Sequence, residues 1–309
     1  MAKYLVTGGA GFIGSHIVDS LIADGHSVRV IDNFSSGDPK NLEGSPVEMI
    51  RGDIRDEVLM DLAAEGIDFI FHEAAFVSVP LSMQNPKECF SANQNGTETV
   101  LEAARKAKVK RVVLASSAAV YGDSDQMPLK EDTTLYPLSP YAVSKRVTEL
   151  YAELYTRSFG LEVTGLRYFN VYGPRQRPDS MYAAAVPIFT RRLVEGKAIT
   201  IYGDGGQTRD LVHVKDIVRA NRIAADHPHA AGGVFNVCTG SEVSINDLVD
   251  HLLVFFPNAL PVEYQDQRQG DIYRSFGDPN LFREKIGYET KVGLNDGLKS
   301  VIDWMASAR

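Results

Sequence analysis

Cysteine is scarce in this 309-residue chain: Cys89 and Cys238 stand far apart and form no Cys-x-x-Cys pattern. That argues against a disulfide framework and a thiolate zinc centre. Two buried thiols in a reducing cytoplasm are expected instead, and no bound metal. No apolar run approaches the roughly 18 residues of a membrane span. Blocks of Lys and Arg are missing too, and the net charge is −8. Nothing therefore marks a nucleic-acid or anionic-membrane partner, and an anionic ligand would have to be met by local donors. Lys3-Tyr4-Leu5-Val6-Thr7 follows no charged and apolar leader pattern, so no signal peptide is expected. Internal repeats and low-complexity segments are absent. What is present is an ordinary globular composition, 44% hydrophobic and 23% charged. The length suits one large α/β unit or two modest domains.

Short apolar runs alternate with helical patterns over the first two-thirds. Strands are predicted at 4–6, 27–31, 47–50, 69–71, 111–115 and 162–167. Helices are predicted near 14–23, 56–64, 94–107 and 141–159. This alternation implies a parallel sheet covered by helices on both faces, joined by right-handed crossovers. Beyond Phe169 the chain is broken by Gly173-Pro174, Pro178, Pro187 and Gly203-Asp204-Gly205-Gly206. Helices near 183–194 and 214–225 are expected there, with 234–237 as a strand that rejoins the sheet. The tail from 245 to 304 reads as further helices with few strands.

The first chemical motif is Thr7-Gly8-Gly9-Ala10-Gly11-Phe12-Ile13-Gly14-Ser15, directly after the first strand. Its glycines read as Gly9-x-Gly11-x-x-Gly14 or as Gly8-x-x-Gly11-x-x-Gly14. A tight turn, a close approach to a pyrophosphate and a helix packed on a strand each need a missing side chain. The helix N-terminus would then offer N–H groups to the phosphates. Asp32 ends the second strand, where an acid can bind the adenosine ribose hydroxyls and repel a 2′-phosphate, favouring NAD over NADP. Its bland alternative is to cap the turn at 33–37. Asp53 could accept from the adenine amino group or cap the next helix.

The second motif lies at the strand end Ser116-Ser117, followed by Tyr141-Ala142-Val143-Ser144-Lys145 at the start of a long helix. In an open parallel sheet, ligands sit beyond the carboxyl ends of strands. Tyr141 and Lys145 are four apart and share a helix face. A phenol is a poor base at neutral pH, but a nearby ammonium favours the phenolate. Tyr141 is then a candidate general base, Lys145 its electrostatic partner and Ser117 a hydrogen-bond partner to the same substrate hydroxyl.

With these residues in place the chain resembles the extended short-chain dehydrogenase/reductase family over nearly its whole length, and within it the nucleotide-sugar 4-epimerases. The matching stretches are 7–15, Asp53-Ile54, His72-Glu73-Ala74-Ala75, 116–122, 141–145, 167–176, 203–214 and 268–271. The resemblance implies a Rossmann-type, doubly wound parallel sheet with a smaller C-terminal α/β substrate-binding domain. Residues 1–170 and about 206–237 would bind NAD; 171–205 and about 238–309 would bind a nucleotide sugar. It implies NAD contacts from Gly8, Gly11, Phe12, Ile13, Asp32, Asn33, Asp53, Ile54, Ala74, Ala75, Asn93, Tyr141, Lys145 and Tyr168. On the substrate side it implies Ser78, Ser116, Ser117, Tyr141, Asn170, Ala184, Ala185, Arg209, Arg268, Asp271 and Ser275. Arg209 and Arg268 would neutralise the diphosphate, and Asp271 would hold the nucleotide ribose. Read from the residues alone, both arginines are equally ordinary surface salt-bridge partners. The stretch 182–186 would line the uridine.

Departures from the family also inform. The related 4,6-dehydratases carry an Asp-Glu pair where this chain has Ala118 and Ala119. Without that pair, elimination of water lacks its acid and base. Val77 stands where many hexose epimerases have Lys. Ser275 is small at the position that limits room around the sugar 2-substituent, which resembles enzymes that also accept N-acetylated sugars. The expected activity is therefore 4-epimerisation of UDP-glucose and UDP-galactose, and of their N-acetyl counterparts, through a transient 4-keto sugar. A UDP-glucuronate 4-epimerase or other nucleotide-sugar oxidoreductase is the alternative enzyme, and a non-catalytic NAD-binding regulator the alternative class. Helix 141–159 carries a wide apolar surface. Relatives pair such helices into a four-helix bundle, so a homodimer is expected; the alternative is that the chain's own C-terminal domain covers this surface.

Overall fold

In the computed structural model, residues 1–178, 184–267 and 272–307 are described. The apolar runs of the first half form β1 (Lys3–Thr7), β2 (Ser27–Asp32), β3 (Glu48–Arg51), β4 (Phe69–His72), β5 (Arg111–Ser117) and β6 (Glu162–Tyr168). Shorter strands follow: β7 (Asn170–Tyr172), β8 (Thr200–Tyr202), β9 (Thr208–Arg209), β10 (Leu211–His213), β11 (Val234–Val237), β12 (Val243–Ser244) and β13 (Glu263–Gln265). The central sheet is seven-stranded, in the order β11-β6-β5-β4-β1-β2-β3, and every pairing in it is parallel. Val112, Val113 and Leu114 of β5 are all fully buried, as expected where helices cover both faces.

Helices α1 (Phe12–Ala23), α2 (Glu57–Ala64), α3 (Val79–Gln84), α4 (Pro86–Phe90), α5 (Gly96–Lys106), α6 (Pro140–Phe159), α7 (Ala185–Val194), α8 (Val214–Asp226), α9 (Ile245–Leu253), α10 (Asn280–Ile286) and α11 (Leu294–Ser307) complete the chain. One core joins α1 and α8 to the sheet through Ile17, Val18, Leu21, Ile217 and Ala224. On the other face Met60, Val100, Leu101, Ala152 and Tyr155 bring in α2, α5 and α6. A third core, away from the sheet, is built on Tyr172, Phe189, Leu193, Leu248, Leu252 and Val301. The strand order reverses between β1 and β4, which opens a crevice at their carboxyl ends.

The sheet strands and long helices lie where the sequence placed them, and β11 does rejoin the sheet beside β6. Three features depart from expectation. The segment expected to be helical from 94 begins with a π-helical turn over Ser91–Asn95, and α3 and α4 precede it. Residues 208–213, assigned by sequence to the cofactor-binding part, form β9 and β10, which pair with β12 and β7 outside the central sheet, while Val212 packs into the first sheet core. Phe282, Ile286 and Tyr288, grouped with the substrate side, pack into the first sheet core. Among the described residues, no helix is long and apolar enough to cross a membrane.

Candidate active site

The turn after β1 is built on absent side chains. Gly8 adopts φ +67, and a Cβ there would lie 2.7 Å from the Ala74 nitrogen. A Cβ on Gly14 would lie 2.3 Å from the Gly8 carbonyl oxygen. Gly8 donates to Ile31 O and Gly11 donates to Gly8 O, so backbone bonds close the turn at both ends. Gly11 caps α1 without any side-chain acceptor. The first N–H groups of α1, at Phe12 and Ile13, therefore face the crevice with the positive end of the helix behind them. This cradle fits a pyrophosphate.

Asp32 accepts from Ala10 N at 2.9 Å and Phe34 N at 2.8 Å. Burial raises its pKa while those two N–H groups lower it. It thus braces the turn, the bland role foreseen for it, and a carboxylate has further lone pairs for a ribose. Asn33 donates to Asp53 at 3.0 Å. Asp53 does not cap α2: Asp56 does, accepting from Leu59 N. Arg55 instead grips Asp53 through Nε and Nη2, both at 2.8 Å, and holds its carboxyl down at about 2. Ile54 is buried beside Gly96.

Across the crevice, Ala74 N donates to Thr7 Oγ1. Asn93 sits in the π-helical turn, but its amide is engaged with protein. It accepts from Phe76 N at 2.7 Å and donates to Phe76 O and to Ser144 Oγ at 2.8 Å. These bonds make Asn93 a clamp that joins the 76 loop to α6. Tyr168 is 7% exposed, and its hydroxyl donates to Glu73 Oε1 at 2.7 Å.

The catalytic candidates do converge. Tyr141 hydrogen-bonds Ser117, whose own hydroxyl also accepts from Ala119 N. Lys145 Nζ donates to Ala115 O at 2.8 Å and stands 5.9 Å from the Tyr141 ring centre. Burial pushes the Tyr141 phenol up to about 12, with the Ser117 bond pulling it down. Burial likewise drops Lys145 to about 8, with Glu73 opposing. Ser116 is a correction. Successive strand residues point to opposite faces, and its hydroxyl donates at 2.6 Å to buried Glu149. That carboxylate is paired with Arg167 at 2.8 Å.

On the substrate side, Asn170 N donates to Asp210 O and Asp210 N donates to Ser275 O, both at 3.0 Å. Arg209 Nη1 donates to Thr208 O. Ala184 caps α7 and Ala185 begins it. Ser78 caps α3, accepting from Leu81 N, and Val77 beside it is 62% exposed. Arg268, Asp271 and Tyr182 lie outside the described residues. Sequence reasoning gave no role to Glu73, although the quoted His72-Glu73-Ala74-Ala75 stretch contained it. Asp210 was missed as well. Its carboxylate oxygens accept from Thr239 N, Thr239 Oγ1, Gly240 N and Gly277 N. Only a buried Asp inside an apolar strand pattern could have pointed to it. Among the described residues, no cluster of three or more metal-ligating side chains occurs.

Comparison with known proteins places these observations. Residues 4–238 match the model of the NAD dependent epimerase/dehydratase family. The chain is 40% identical over 310 residues to a UDP-glucose 4-epimerase of Mycolicibacterium smegmatis, covering 98% of each. It is similar to the crystal structure of the Thermotoga maritima UDP-glucose 4-epimerase with UDP-glucose, at TM-score 0.94 and 39% identity over 99% of each chain. It is also similar to the UDP-N-acetylglucosamine 4-epimerase of Methanobrevibacter ruminantium M1 in complex with UDP-N-acetylmuramic acid. There the TM-score is 0.95 and the identity 38%, over 100% of this chain and 99% of the other.

Proposed function

We propose, from the premise that the chain belongs to the NAD dependent epimerase/dehydratase family, that it is an NAD-dependent 4-epimerase of UDP-sugars. The carrying observation is the meeting of Ser117, Tyr141 and Lys145 at the end of β5, beside the glycine cradle of β1. The cradle fits NAD: Gly8, Gly11 and the N-terminus of α1 would hold the pyrophosphate, and Asp32 the adenosine ribose. Bound there, NAD supplies a hydride acceptor and donor. Tyr141 takes the proton of the sugar 4-hydroxyl and later returns it, while Ser117 fixes that hydroxyl's oxygen. Lys145 holds positive charge near the phenol. Ala118 and Ala119 offer no acid or base for elimination, so proton exchange at the 4-oxygen is the chemistry this chain equips.

Asn170, Arg209, Arg268, Asp271 and the stretch 182–186 would anchor the nucleotide, leaving the hexose free to turn. Part-buried Ser275 leaves room for a 2-acetamido group, which extends the substrates to UDP-GlcNAc and UDP-GalNAc. Tyrosine in its place should remove the N-acetyl activity selectively; equal loss of both activities would overturn that role. Leu150, Leu154 and Phe159 of α6 are each about half exposed, and this surface supports a homodimer. Two buried free thiols suit a reducing cytoplasm, and galactose metabolism would be the setting. The test is incubation of the purified protein with UDP-galactose without added NAD, followed by NMR. Appearance of UDP-glucose supports the reading; no conversion even with NAD added would move it to the N-acetyl or glucuronate substrates.

A further inference from the structure

We infer that Glu73 is a positioning residue that sets the charge state of the Tyr141–Lys145 pair, held in place by Tyr168 and Asn221. The inference rests on the proton-transfer role given to Tyr141 above. Strand register supplies the geometry. His72 ends β4 opposite Leu114 of β5, so Glu73 follows beside Ala115, whose carbonyl receives Lys145 Nζ. One strand further, Tyr168 pairs with Ser117, the partner of Tyr141. The Glu73 carboxyl reaches past the end of β5 to accept from the Tyr168 hydroxyl at 2.7 Å.

With Glu73 ionised, the direction of that hydrogen bond is set. Asn221 Nδ2 donates to the same phenol oxygen at 2.7 Å and to Ile217 O at 2.9 Å. The single phenol hydrogen of Tyr168 is therefore left for Glu73. Glu149 nearby is neutralised by Arg167 and Arg146, whereas the named partner of Glu73 is a phenol. The other titratable groups around it are accounted for. His72, on its own strand, is kept neutral between Thr7 and Thr97. The Cys89 thiol of α4 is pushed up by burial. Lys145 and Tyr141 of α6 interact with it electrostatically, Tyr168 of β6 bonds it, and Asn221 of α8, which bonds Tyr168, is uncharged.

Burial lifts the Glu73 carboxyl to about 7, against the pull of Tyr168 and Lys145. Near neutrality it therefore passes from acid to anion. The anion raises the pKa of Lys145 and also that of Tyr141, since negative charge favours the ammonium and opposes the phenolate. One carboxyl thus moves both titrations in the same direction.

Glu73→Gln keeps an acceptor for Tyr168 and removes the charge. With NAD bound, whose positive charge brings the phenol below the ammonium, a bell-shaped pH profile of kcat/KM has Tyr141 on its acid limb and Lys145 on its alkaline limb. Both limbs should move to lower pH in Glu73→Gln, by about one unit. The tyrosinate absorbance of Tyr141, read as the difference from a Tyr141→Phe chain, should move the same way. A uniform loss of rate with both limbs and the tyrosinate curve unmoved would overturn the inference. Tyr168→Phe tests it without touching Glu73. Losing that donor should carry the protonated-carboxyl infrared band of Glu73 to higher pH, and a band that titrates unchanged would also overturn it. The optical and infrared titrations need no sugar, so they decide this point even if the UDP-sugar reading fails.

Discussion

Opposing influences meet on the Tyr141 hydroxyl: burial most of all, with Cys89 and Glu73, raises its pKa, and Ser117 lowers it. Lys145 faces the Ala115 carbonyl instead of the phenol, so the protein alone does not make a phenolate at neutral pH. A positive charge brought into the crevice by the bound cofactor would do so. Tyr141→Phe should cut turnover by about 10³-fold, the scale of a lost general base, while NAD released on denaturation stays at the wild-type amount. Activity within tenfold of wild type would remove Tyr141 from the role. His72 gives a pH prediction of another kind. Burial, helped by Lys145, drops its pKa from 6.5 to about 3. The unfolded chain gains this proton near 6.5 and the folded chain only near 3. Stability is therefore full above 6.5 and is lost as pH falls toward 3, by about 1.4 kcal/mol per pH unit per proton. His213, lowered to about 4, acts with the same sign. Urea denaturation between pH 6 and pH 5 should show a shallower slope in His72→Gln than in wild type, and equal slopes would contradict this account.

At the level of the element, α6 organises the site. Ser139 caps it by accepting from Ala142 N, Pro140 fills its first turn and Gly160 closes it in the left-handed region. Tyr141, Lys145 and Glu149 recur every four residues on the face turned to the sheet, where Lys145 and Glu149 are buried. Leu150 and Leu154 repeat the same spacing on another face and are exposed. Replacing both with Glu should leave a monomer in sedimentation at micromolar concentration, because charges at the centre of an apolar interface cost well over 2 kcal/mol. A wild-type chain that is already monomeric would end the dimer proposal. This helix was legible in the sequence because its four-residue repeat is local. The segment 79–95 was not, because Pro80 and Pro86 divide it into short helices and its π-helical turn is held by Asn93 reaching Ser144. The partners of Glu73 are equally remote: Tyr168 lies two strands away and Asn221 on the opposite helix layer. The two- and three-residue strands are too short to carry any alternation.

On the scale of the whole molecule, the crevice has two walls, and Asp210 ties them. Its backbone joins β7 to the 275 segment through Asn170 N and Ser275 O. Its carboxylate, fully buried, gathers Thr239 and Gly240 just beyond β11 with Gly277 on the far side. Gly277 in turn lies against Phe169 and Cys238, where a Cβ would sit 2.5 and 2.8 Å away. The Asp210 side chain thus helps to anchor the segment that carries Ser275 to the end of the last strand of the large sheet. Asp210→Asn keeps the shape but loses one acceptor oxygen and sets an N–H₂ against backbone donors. A buried unpaired donor costs about 1–3 kcal/mol, so urea denaturation should show a loss of that order. The glycine cradle and the Tyr141 cluster are on the other wall and make none of these bonds. NAD content and kcat should therefore change little, while KM for the UDP-sugar rises. A fall in kcat with unchanged KM would mean that Asp210 supports the reacting end of the crevice and not the wall that grips the nucleotide.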